Sequence, residues 1–229
     1  MTQTKPPARI APTTVDGQPA WIKRRERLGL RMRLQKGNAD RAFQTELAAL
    51  HRMQGKGLAV PRLLHVETGS FTITDGGRNL RKQIVYGHLT EPERDAALIA
   101  AATALGRLHA AGFSHGRPAL KDICWQEGTI TLIDFERATP RRNTPSGHAL
   151  DVIVLFHSMI GVTGGPTPAV HAARAAYIDT APPGIWPLAA KRLRRLAPLA
   201  RLIRPAVGRL SHKAEFASIA PTVAFFTGG

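Results

Sequence analysis

Residues 115–136 read HGRPALKDICWQEGTITLIDFE, and they carry more information than any other part of the chain. Asp122 follows a tight loop, and Asp134 ends a run of β-branched and apolar residues about a dozen positions later. A loop carboxylate and a carboxylate at a strand end are suitably placed to hold a metal ion and a phosphate between them. The stretch therefore indicates a site for phosphoryl transfer.

The composition is typical of a folded protein that binds polyanions. The chain has 229 residues, of which 43% are hydrophobic, enough to bury a core in one domain or in two small lobes. It has 32 Lys and Arg against 16 Asp and Glu, a formal net charge of +16. Such a charge favours nucleic acid, anionic lipid, nucleotide phosphates or lipopolysaccharide as partners, and it does not rank them.

The cysteine content and the hydropathy of the chain give information on its cellular location. Cys124 is the single cysteine, which excludes an intrachain disulfide and a cysteine zinc cluster and suits a reducing cytosol. Its apolar neighbours predict a buried thiol. Residues 1–10 lack the apolar segment of a signal peptide, and no run approaches the roughly 18 to 20 apolar residues of a membrane span. We expect a cytoplasmic protein, with peripheral contact at the inner membrane left open.

The first half of the chain predicts a small sheet with one helix. Asp16–Gly17 is a two-residue turn signal and predicts a hairpin. Phe43, Leu47 and Leu50 share one face of a helix predicted over residues 41–54, for which Asn38 and Asp40 are the candidate caps. The remaining segments are a strand at 20–23, a basic stretch of open form at 24–36, an extended segment at 60–64 and a strand at 70–74.

The second half predicts mainly helices. The predicted elements are a long helix over 91–110, short strands at 123–125 and 129–133, and helices over 149–159 and 171–177. Residues 188–210 form a basic amphipathic stretch broken by Pro198 and Pro205. This stretch is either a solvated helix face or an interfacial helix on anionic lipid.

Four motifs follow one another along the chain: AWIK at 20–23, FQTEL at 43–47, LGRLHAAGFSHG at 105–116 and DFE at 134–136. In this order they resemble a protein-kinase-like fold, nearest to the small bacterial kinases that phosphorylate lipopolysaccharide core sugars. By this resemblance Lys23 holds the nucleotide phosphates, and Glu46 is the carboxylate that orients Lys23. Asp134 resembles the Mg²⁺-binding Asp of a DFG or DFD triplet, and Asp151 resembles the buried Asp that braces the catalytic loop.

The catalytic loop departs from the family pattern. Family members commonly read HGDxxxxN, whereas this chain reads HGRxxxxD from His115 to Asp122. Asp122 keeps an oxygen ligand where the metal-binding Asn belongs, and His115 is read as a structural loop residue. Arg117 stands at the position of the catalytic base, and an arginine cannot accept a proton near neutral pH. The loop is thus inactive, or its base is Asp122 or Glu136, or positioning alone suffices while Arg117 grips a phosphate.

Each assigned residue also has a plainer interpretation. Lys23 and Glu46 can be a surface lysine and a solvated glutamate, and Asp122 and Asp134 can be turn-capping residues. The residues before Asp16 contain no glycine, so the glycine loop that covers the phosphates in the family is expected to be absent or much reduced.

The resemblance implies an α+β, bilobal protein-kinase-like fold. We expect a mobile N-terminus over 1–14, a reduced N-lobe with a small antiparallel sheet and one helix over 15–88, and a mainly helical C-lobe over 89–229. The implied activity is transfer of the γ-phosphoryl group of ATP, with Mg²⁺, to a hydroxyl of lipopolysaccharide or a related anionic glycolipid. The alternatives are a pseudokinase scaffold and a basic nucleic-acid binder. The latter ranks last because aromatic residues are only 6% and no nucleic-acid-binding motif appears.

Overall fold

The structure is a computed structural model that describes residues 8–25, 39–195 and 217–228. Within these residues the chain forms two antiparallel sheets and a set of helices, which confirms the predicted α+β class. Residues 1–7, most of the basic stretch, Asn38 and residues 196–210 of the second basic stretch lie outside the described residues.

A four-stranded sheet forms the first part of the fold. Its strands are β1 (Ile10–Val15), β2 (Gln18–Arg24), β3 (Leu63–Glu67) and β4 (Ser70–Thr74), in the order β1-β2-β4-β3. Asp16 and Gly17 both have positive φ, as a two-residue hairpin turn requires, so the predicted hairpin is confirmed. The prediction of a mobile segment up to residue 14 is wrong from residue 10 onward, because β1 pairs with β2 along its whole length.

Helix α1 (Ala39–Met53) packs on this sheet and begins two residues earlier than predicted. The rings of Phe43 and Phe71 lie 5.0 Å apart between centroids, and Leu50 is fully buried. Asp40 lies in the first turn and pairs with Arg25, Nε to Oδ1 2.5 Å. Because the apolar face of α1 packs on the sheet, it sets the position of Glu46 relative to the strands.

A second, three-stranded sheet follows: β5 (Arg78–Asn79), β6 (Ile123–Gln126) and β7 (Thr129–Leu132). The strands β6 and β7 confirm the two predicted strands. Strand β5 and helix α2 (Leu80–Val85) were not predicted, because two and six residues are too short for a clear hydrophobic period.

The remaining helices are α3 (Glu91–Ala110), α4 (Pro145–Thr163), α5 (Pro168–Thr180), α6 (185–195) and α7 (Ile219–Thr227). The bounds of α3 are those predicted, since Thr90 and Glu93 form a capping box at its start. Helices α4 and α5 extend beyond the predicted segments at both ends. Helix α7 was not predicted.

Helix α4 lies in the core of the helical part. Among the described residues it is the one helix long and apolar enough, by length and composition, to cross a membrane, which the sequence reading did not expect. Val152, Leu155 and Phe156 are fully buried, and Phe156 stacks on Phe225 of α7 at 5.7 Å. Its hydropathy thus matches its place in the core.

Helix α6 is amphipathic, and its apolar face turns inward. Trp186 and Leu193 are buried, whereas Lys191 and Arg195 are exposed. In this described part of the basic stretch, the buried apolar side chains fit the solvated-face interpretation. The interfacial-helix interpretation of residues 188–210 stays a prediction, since residues 196–210 lie outside the described residues.

Candidate functional site

A cavity of about 460 Å³ opens between the four-stranded sheet and the segment that carries Asp122 and Asp134. This is within the usual size of a ligand pocket. Its lining comes from β1, β2 and β4 on one side, the Asp75–Gly77 turn at the back, and residues 121–136 on the other side. The cavity is therefore lined by residues from both halves of the chain in which the motifs occur.

Lys23 and Glu46 meet at the sheet side of this cavity. Lys23 Nζ lies 2.6 Å from Glu46 Oε1, and the two side chains are 13% and 3% exposed. Lys23 lies near the end of β2, opposite Phe71 of β4, and Glu46 projects from α1 above it. The buried carboxylate holds the lysine ammonium in one direction, and Lys23 still lines the cavity.

Asp134 lies just beyond the end of β7 and lines the cavity. Its φ is 68°, in the left-handed region that costs energy for a residue other than glycine and that aspartate tolerates better than most. The chain leaves the strand direction at this residue. Residues held in this way concentrate at functional sites.

Asp122 ends a short 3₁₀ turn, Leu120–Asp122, and is buried. Its Oδ2 has no hydrogen-bond partner among the described residues. Burial raises the pKa of Asp122 to about 6, with a smaller contribution in the same direction from Asp134, while Lys121 and Arg117 oppose it.

The pair of carboxylates fits a divalent cation. A buried carboxylate oxygen without a partner is costly, and the neighbouring charge of Asp134 raises this cost. A Mg²⁺ ion takes oxygen ligands and would neutralise both groups. Asp122 and Asp134 are therefore the residues of this cavity that would hold the metal.

Two further charged residues complete the cavity and were not assigned a binding role from the sequence. Arg9, just before β1, forms an ion pair with Glu136. One carboxylate oxygen from each of Glu46, Asp134 and Glu136 lies within 4.8 Å of the others. The DFE triplet was the available signal for Glu136, whereas nothing in the sequence distinguishes Arg9 from its many basic neighbours.

Asp151 lies beneath the loop that begins at His115. Its carboxylate accepts hydrogen bonds from the backbone N–H of His115, at 2.7 Å, and of Gly116, at 3.0 Å. Asp151 lies in the second turn of α4, which begins at Pro145, four residues before the predicted start at 149, and is capped by Thr144. Gly116 has φ 96° and lies so close to Arg137 that a Cβ would clash at 2.6 Å.

Buried histidines surround Asp151. His109 Nε2 lies 3.5 Å from Asp151 Oδ2, and His109 Nδ1 lies 2.8 Å from the Tyr177 hydroxyl. The His148 ring stacks on His109 at 4.2 Å. His115 is also buried and packs on Phe135. Burial lowers the pKa of His109, His115 and His148, the last to about 4, so all three are neutral at physiological pH.

Arg117 is half-buried in the loop and does not line the cavity. Its charge favours the ionised form of Asp122 and so lowers the pKa of that carboxyl, against the larger effect of burial. Cys124 is buried at the cavity wall, and burial raises the pKa of its thiol to about 11, which rules out a thiolate nucleophile at neutral pH.

Comparison with known proteins gives two relatives by sequence. An uncharacterized protein of Haemophilus influenzae is 28% identical over 151 residues, 66% of this chain and 62% of that protein. A probable bifunctional tRNA threonylcarbamoyladenosine biosynthesis protein of Haloquadratum walsbyi is 26% identical over 189 residues, 77% of this chain and 34% of that protein. The chain thus spans less than two thirds of either relative. No family model matches the chain.

Comparison with solved structures identifies the fold. The crystal structure of WbdD superimposes with a TM-score of 0.52 at 14% identity. The match covers 78% of this chain and 44% of WbdD. The chain has a protein-kinase-like fold, as the order of the motifs predicted.

Proposed function

We propose that this protein is a kinase-like phosphotransferase that moves the γ-phosphoryl group of ATP to a hydroxyl of lipopolysaccharide or a related anionic glycolipid. One observation carries the proposal: a single cavity is lined by Lys23, which is paired with Glu46, and by the carboxylates of Asp122 and Asp134. A fixed cation and two metal-binding carboxylates are what phosphoryl transfer from a nucleotide requires.

The sheet side of the cavity would take the nucleotide phosphates. Glu46 restrains the ammonium of Lys23, so little conformational entropy is lost when that ammonium meets a phosphate. Lys121, on the opposite wall, is exposed and adds a second positive charge next to Asp122 in the chain. Together they would attract the triphosphate into a cavity that otherwise carries several carboxylates.

Asp122 and Asp134 would hold Mg²⁺, which when bound neutralises the charge that develops on the transferred phosphoryl group. Asp122 is buried, and its Oδ2 has no hydrogen-bond partner among the described residues, so this oxygen has no bond to break when an ion binds. Asp134 follows β7 in the left-handed backbone region, which turns its side chain away from the strand direction. Both carboxylates are thereby kept available for a cation.

In this proposal the catalytic loop supports phosphoryl transfer although Arg117, at the position of the general base, cannot accept a proton. A loose phosphoryl transition state demands little deprotonation of the acceptor beforehand, so orientation and charge stabilisation can carry the step. Asp151 fixes the loop backbone at His115 and Gly116. Arg117 then supplies a positive charge near Asp122, which would attract an anionic acceptor.

The acceptor class rests on the resemblance to lipopolysaccharide kinases and on the net charge of +16. A basic surface would hold an anionic glycolipid at the inner membrane face by electrostatic attraction. We therefore propose a cytoplasmic protein with peripheral contact at the inner membrane.

The test is transfer of radiolabelled γ-phosphate from ATP to purified lipopolysaccharide core glycolipid. We expect label in the glycolipid that depends on Mg²⁺, and a loss of about a hundredfold or more in Asp134→Asn and Lys23→Met. Glu67→Gln, an exposed residue of β3, is the matched control and should transfer normally. Transfer that is equal in Asp134→Asn and the natural protein would overturn the proposal.

A pseudokinase scaffold is the second candidate, and Arg117 is the observation that favours it. An arginine at the loop position cannot take up the proton of an acceptor. This candidate predicts binding of Mg²⁺–ATP without label transfer to any acceptor, and no gain when Arg117 is replaced by Asp. Transfer gained by Arg117→Asp would identify the loop as the sole defect.

A nucleic-acid binder is the third candidate. It is favoured by the net charge and by the relative whose name concerns tRNA modification. It predicts a gel shift of tRNA with an affinity that falls steeply as salt increases. Glycolipid labelling that is unaffected by excess tRNA would count against it.

A further inference from the structure

We propose that a second cavity, between helix α6 and the start of α4, binds a terminal phosphate group. We call it the α6 cavity, and its described lining is Ser146, Leu188, Lys191, Arg192 and Arg195. None of these residues lines the cavity to which ATP and Mg²⁺ are assigned above. The site is independent of the proposed phosphotransfer, since it needs neither a nucleotide nor a metal ion.

The size and charge of the α6 cavity suit an anion. Its volume is about 390 Å³, within the usual size of a ligand pocket. Three of its five described lining residues are basic and none is acidic. The proposed nucleotide cavity, by contrast, has both carboxylates and basic side chains on its walls. A cavity lined by charges of one sign concentrates the field and attracts ions of the opposite sign.

No acidic side chain neutralises this charge within residues 8–25, 39–195 and 217–228. None of the ion pairs found there involves Lys191, Arg192 or Arg195. Lys191 and Arg195 are exposed and lie four residues apart, on the same face of α6. Two like charges at this spacing repel each other, and an anion bound beside them removes the repulsion.

Arg192 is already held in the cavity wall by Ser146. It is half-buried, and its Nη1 donates to the Ser146 carbonyl oxygen at 3.2 Å and to Ser146 Oγ at 3.0 Å. A guanidinium has five N–H donors in a planar fork, so several donors remain for a ligand. Because these bonds restrict its orientation, Arg192 loses little conformational entropy when it binds phosphate oxygens.

The number of basic side chains favours a terminal phosphate over a phosphodiester. A terminal phosphate has a charge of about −1.5 to −2 at pH 7 and three strong acceptor oxygens. A phosphodiester has fewer free oxygens and less charge. Two guanidinium groups and one ammonium around the same cavity can therefore make more charge-assisted hydrogen bonds to the terminal group. The headgroup of phosphatidic acid and inorganic phosphate both provide this chemistry.

A short segment connects the α6 cavity to the catalytic loop. Asn143 Oδ1 accepts a hydrogen bond from the Ser114 N–H at 2.9 Å, and Arg142 Nη1 donates to the Gly116 carbonyl oxygen at 3.1 Å. Ser146 follows these two residues in the chain and lines the cavity. A phosphate bound beside Ser146 is therefore linked to the catalytic loop through this hydrogen-bonded segment.

The first test is sedimentation of the full chain with phosphatidylcholine vesicles that contain either phosphatidic acid or phosphatidylglycerol, adjusted to equal zeta potential. Equal surface potential cancels the general attraction of a basic protein, so the ratio of the two affinities measures recognition of the terminal phosphate. The variants are Arg195→Gln and Arg192→Lys. Arg194→Gln is the matched control, because Arg194 is an exposed neighbour on α6 that does not line the cavity.

We expect the natural protein and Arg194→Gln to bind the phosphatidic acid vesicles about fivefold or more tightly than the phosphatidylglycerol vesicles. This is the factor that one basic residue contributes at an anionic surface. In Arg195→Gln the preference should fall to about twofold or less, because a cation of the cavity is lost. Arg192→Lys should have the same effect although it keeps the charge, because lysine lacks the planar fork.

Calorimetry with inorganic phosphate, at constant ionic strength, separates the two sources of the group. A preference for phosphatidic acid without phosphate binding at millimolar concentration identifies a lipid headgroup as the ligand. Phosphate binding that Arg195→Gln weakens and Arg194→Gln does not identifies free phosphate.

Two results would overturn the proposal. One is equal affinity of the natural protein for the two vesicle types together with no binding of inorganic phosphate. The other is a preference, or a phosphate affinity, that Arg195→Gln and Arg194→Gln reduce equally. Neither measurement uses ATP or a divalent cation, so both results would leave the proposed phosphotransfer standing.

Discussion

Asp122 is the residue whose surroundings depart furthest from what its sequence position suggests. The sequence predicted an acid after a loop, facing a metal site. The structure places it in a buried wall, where burial raises its pKa to about 6. Burial depends on the packing of the 3₁₀ turn against the rest of the fold, which no local pattern of residues records.

This pKa has a consequence for stability. The pKa of Asp122 is about 6 when folded and 3.8 by its ordinary value, so the folded state holds the proton more tightly. Stability falls as pH rises through this window and stays lower above it. Without divalent cations, Asp122→Asn should melt at a higher temperature than the natural protein at about pH 8, and at a similar temperature below about pH 4. Differential scanning fluorimetry measures both.

Mg²⁺ provides the control for this prediction. The ion should raise the melting temperature of the natural protein at about pH 8 and have a smaller effect on Asp122→Asn, because a ligand that binds only the folded state stabilises it. An Asp122→Asn variant that is less stable than the natural protein at every pH would contradict the assignment.

Asp151 gives a second prediction at this scale. It is 1% exposed and accepts the N–H groups of His115 and Gly116. Asp151→Asn turns one acceptor into a donor and should cost about 2–3 kcal/mol in the free energy of unfolding by urea. Ser158→Ala removes a single acceptor, at 3.0 Å from the Leu120 N–H, and should cost about 1 kcal/mol. Equal losses would show that Asp151 does not brace the loop.

Helices α3 and α5 pack closely, and one glycine permits their contact. A Cβ on Gly106 of α3 would lie 2.0 Å from Thr180 Oγ1 and 3.0 Å from Thr180 Cβ. Gly106→Ala should therefore cost about 1–3 kcal/mol, the usual penalty for overpacking. The urea midpoint measures the loss.

A double-mutant cycle tests the cause of that loss. Thr180→Ala removes the hydroxyl that a Cβ at position 106 would meet. The double variant Gly106→Ala/Thr180→Ala should be less destabilised than the sum of the single changes. Strict additivity would mean that the contact between α3 and α5 is not the source of the penalty.

The elements differ in how far the sequence predicts them. Helix α3 was predicted with its bounds, because Thr90, Glu93 and Gly112 mark its ends. Helix α2 and strand β5 were missed because they owe their conformation to contacts such as Gln83 Nε2 with the Trp125 carbonyl oxygen, at 3.0 Å. For the candidate site, the motifs predicted four residues: Lys23, Glu46, Asp122 and Asp134. The sequence could not identify Arg9 as a residue of the cavity, because its ion pair is with Glu136, which lies 127 positions away.

For the molecule as a whole, the question to test is whether its positive net charge leads to binding at anionic membranes. The described part of the basic C-terminal stretch, helix α6, turns its apolar face inward and leaves Lys191 and Arg195 exposed. Any contact of this helix with a membrane is therefore electrostatic. Binding to phosphatidylglycerol vesicles should fall as salt increases, and binding to phosphatidylcholine vesicles should be weak.

Charge reversal locates the surface that makes this contact. Lys191→Glu/Arg195→Glu should weaken sedimentation with phosphatidylglycerol vesicles by about tenfold or more, since each basic residue near an anionic surface contributes about 1 kcal/mol. Arg81→Glu/Lys82→Glu on α2 changes the net charge equally and is the matched control. Equal losses in the two variants would mean that net charge alone, and not α6, determines vesicle binding.

The measurement that tests the central claim most directly is ATP binding by calorimetry, with and without Mg²⁺, in the natural protein, Asp134→Asn and Lys23→Met. The central claim is that the cavity between the sheet and residues 121–136 is a nucleotide and metal site. It predicts Mg²⁺-dependent binding in the micromolar range that both variants lose. No binding by the natural protein at millimolar ATP would contradict it and leave a basic protein with a kinase-like fold and no phosphate site.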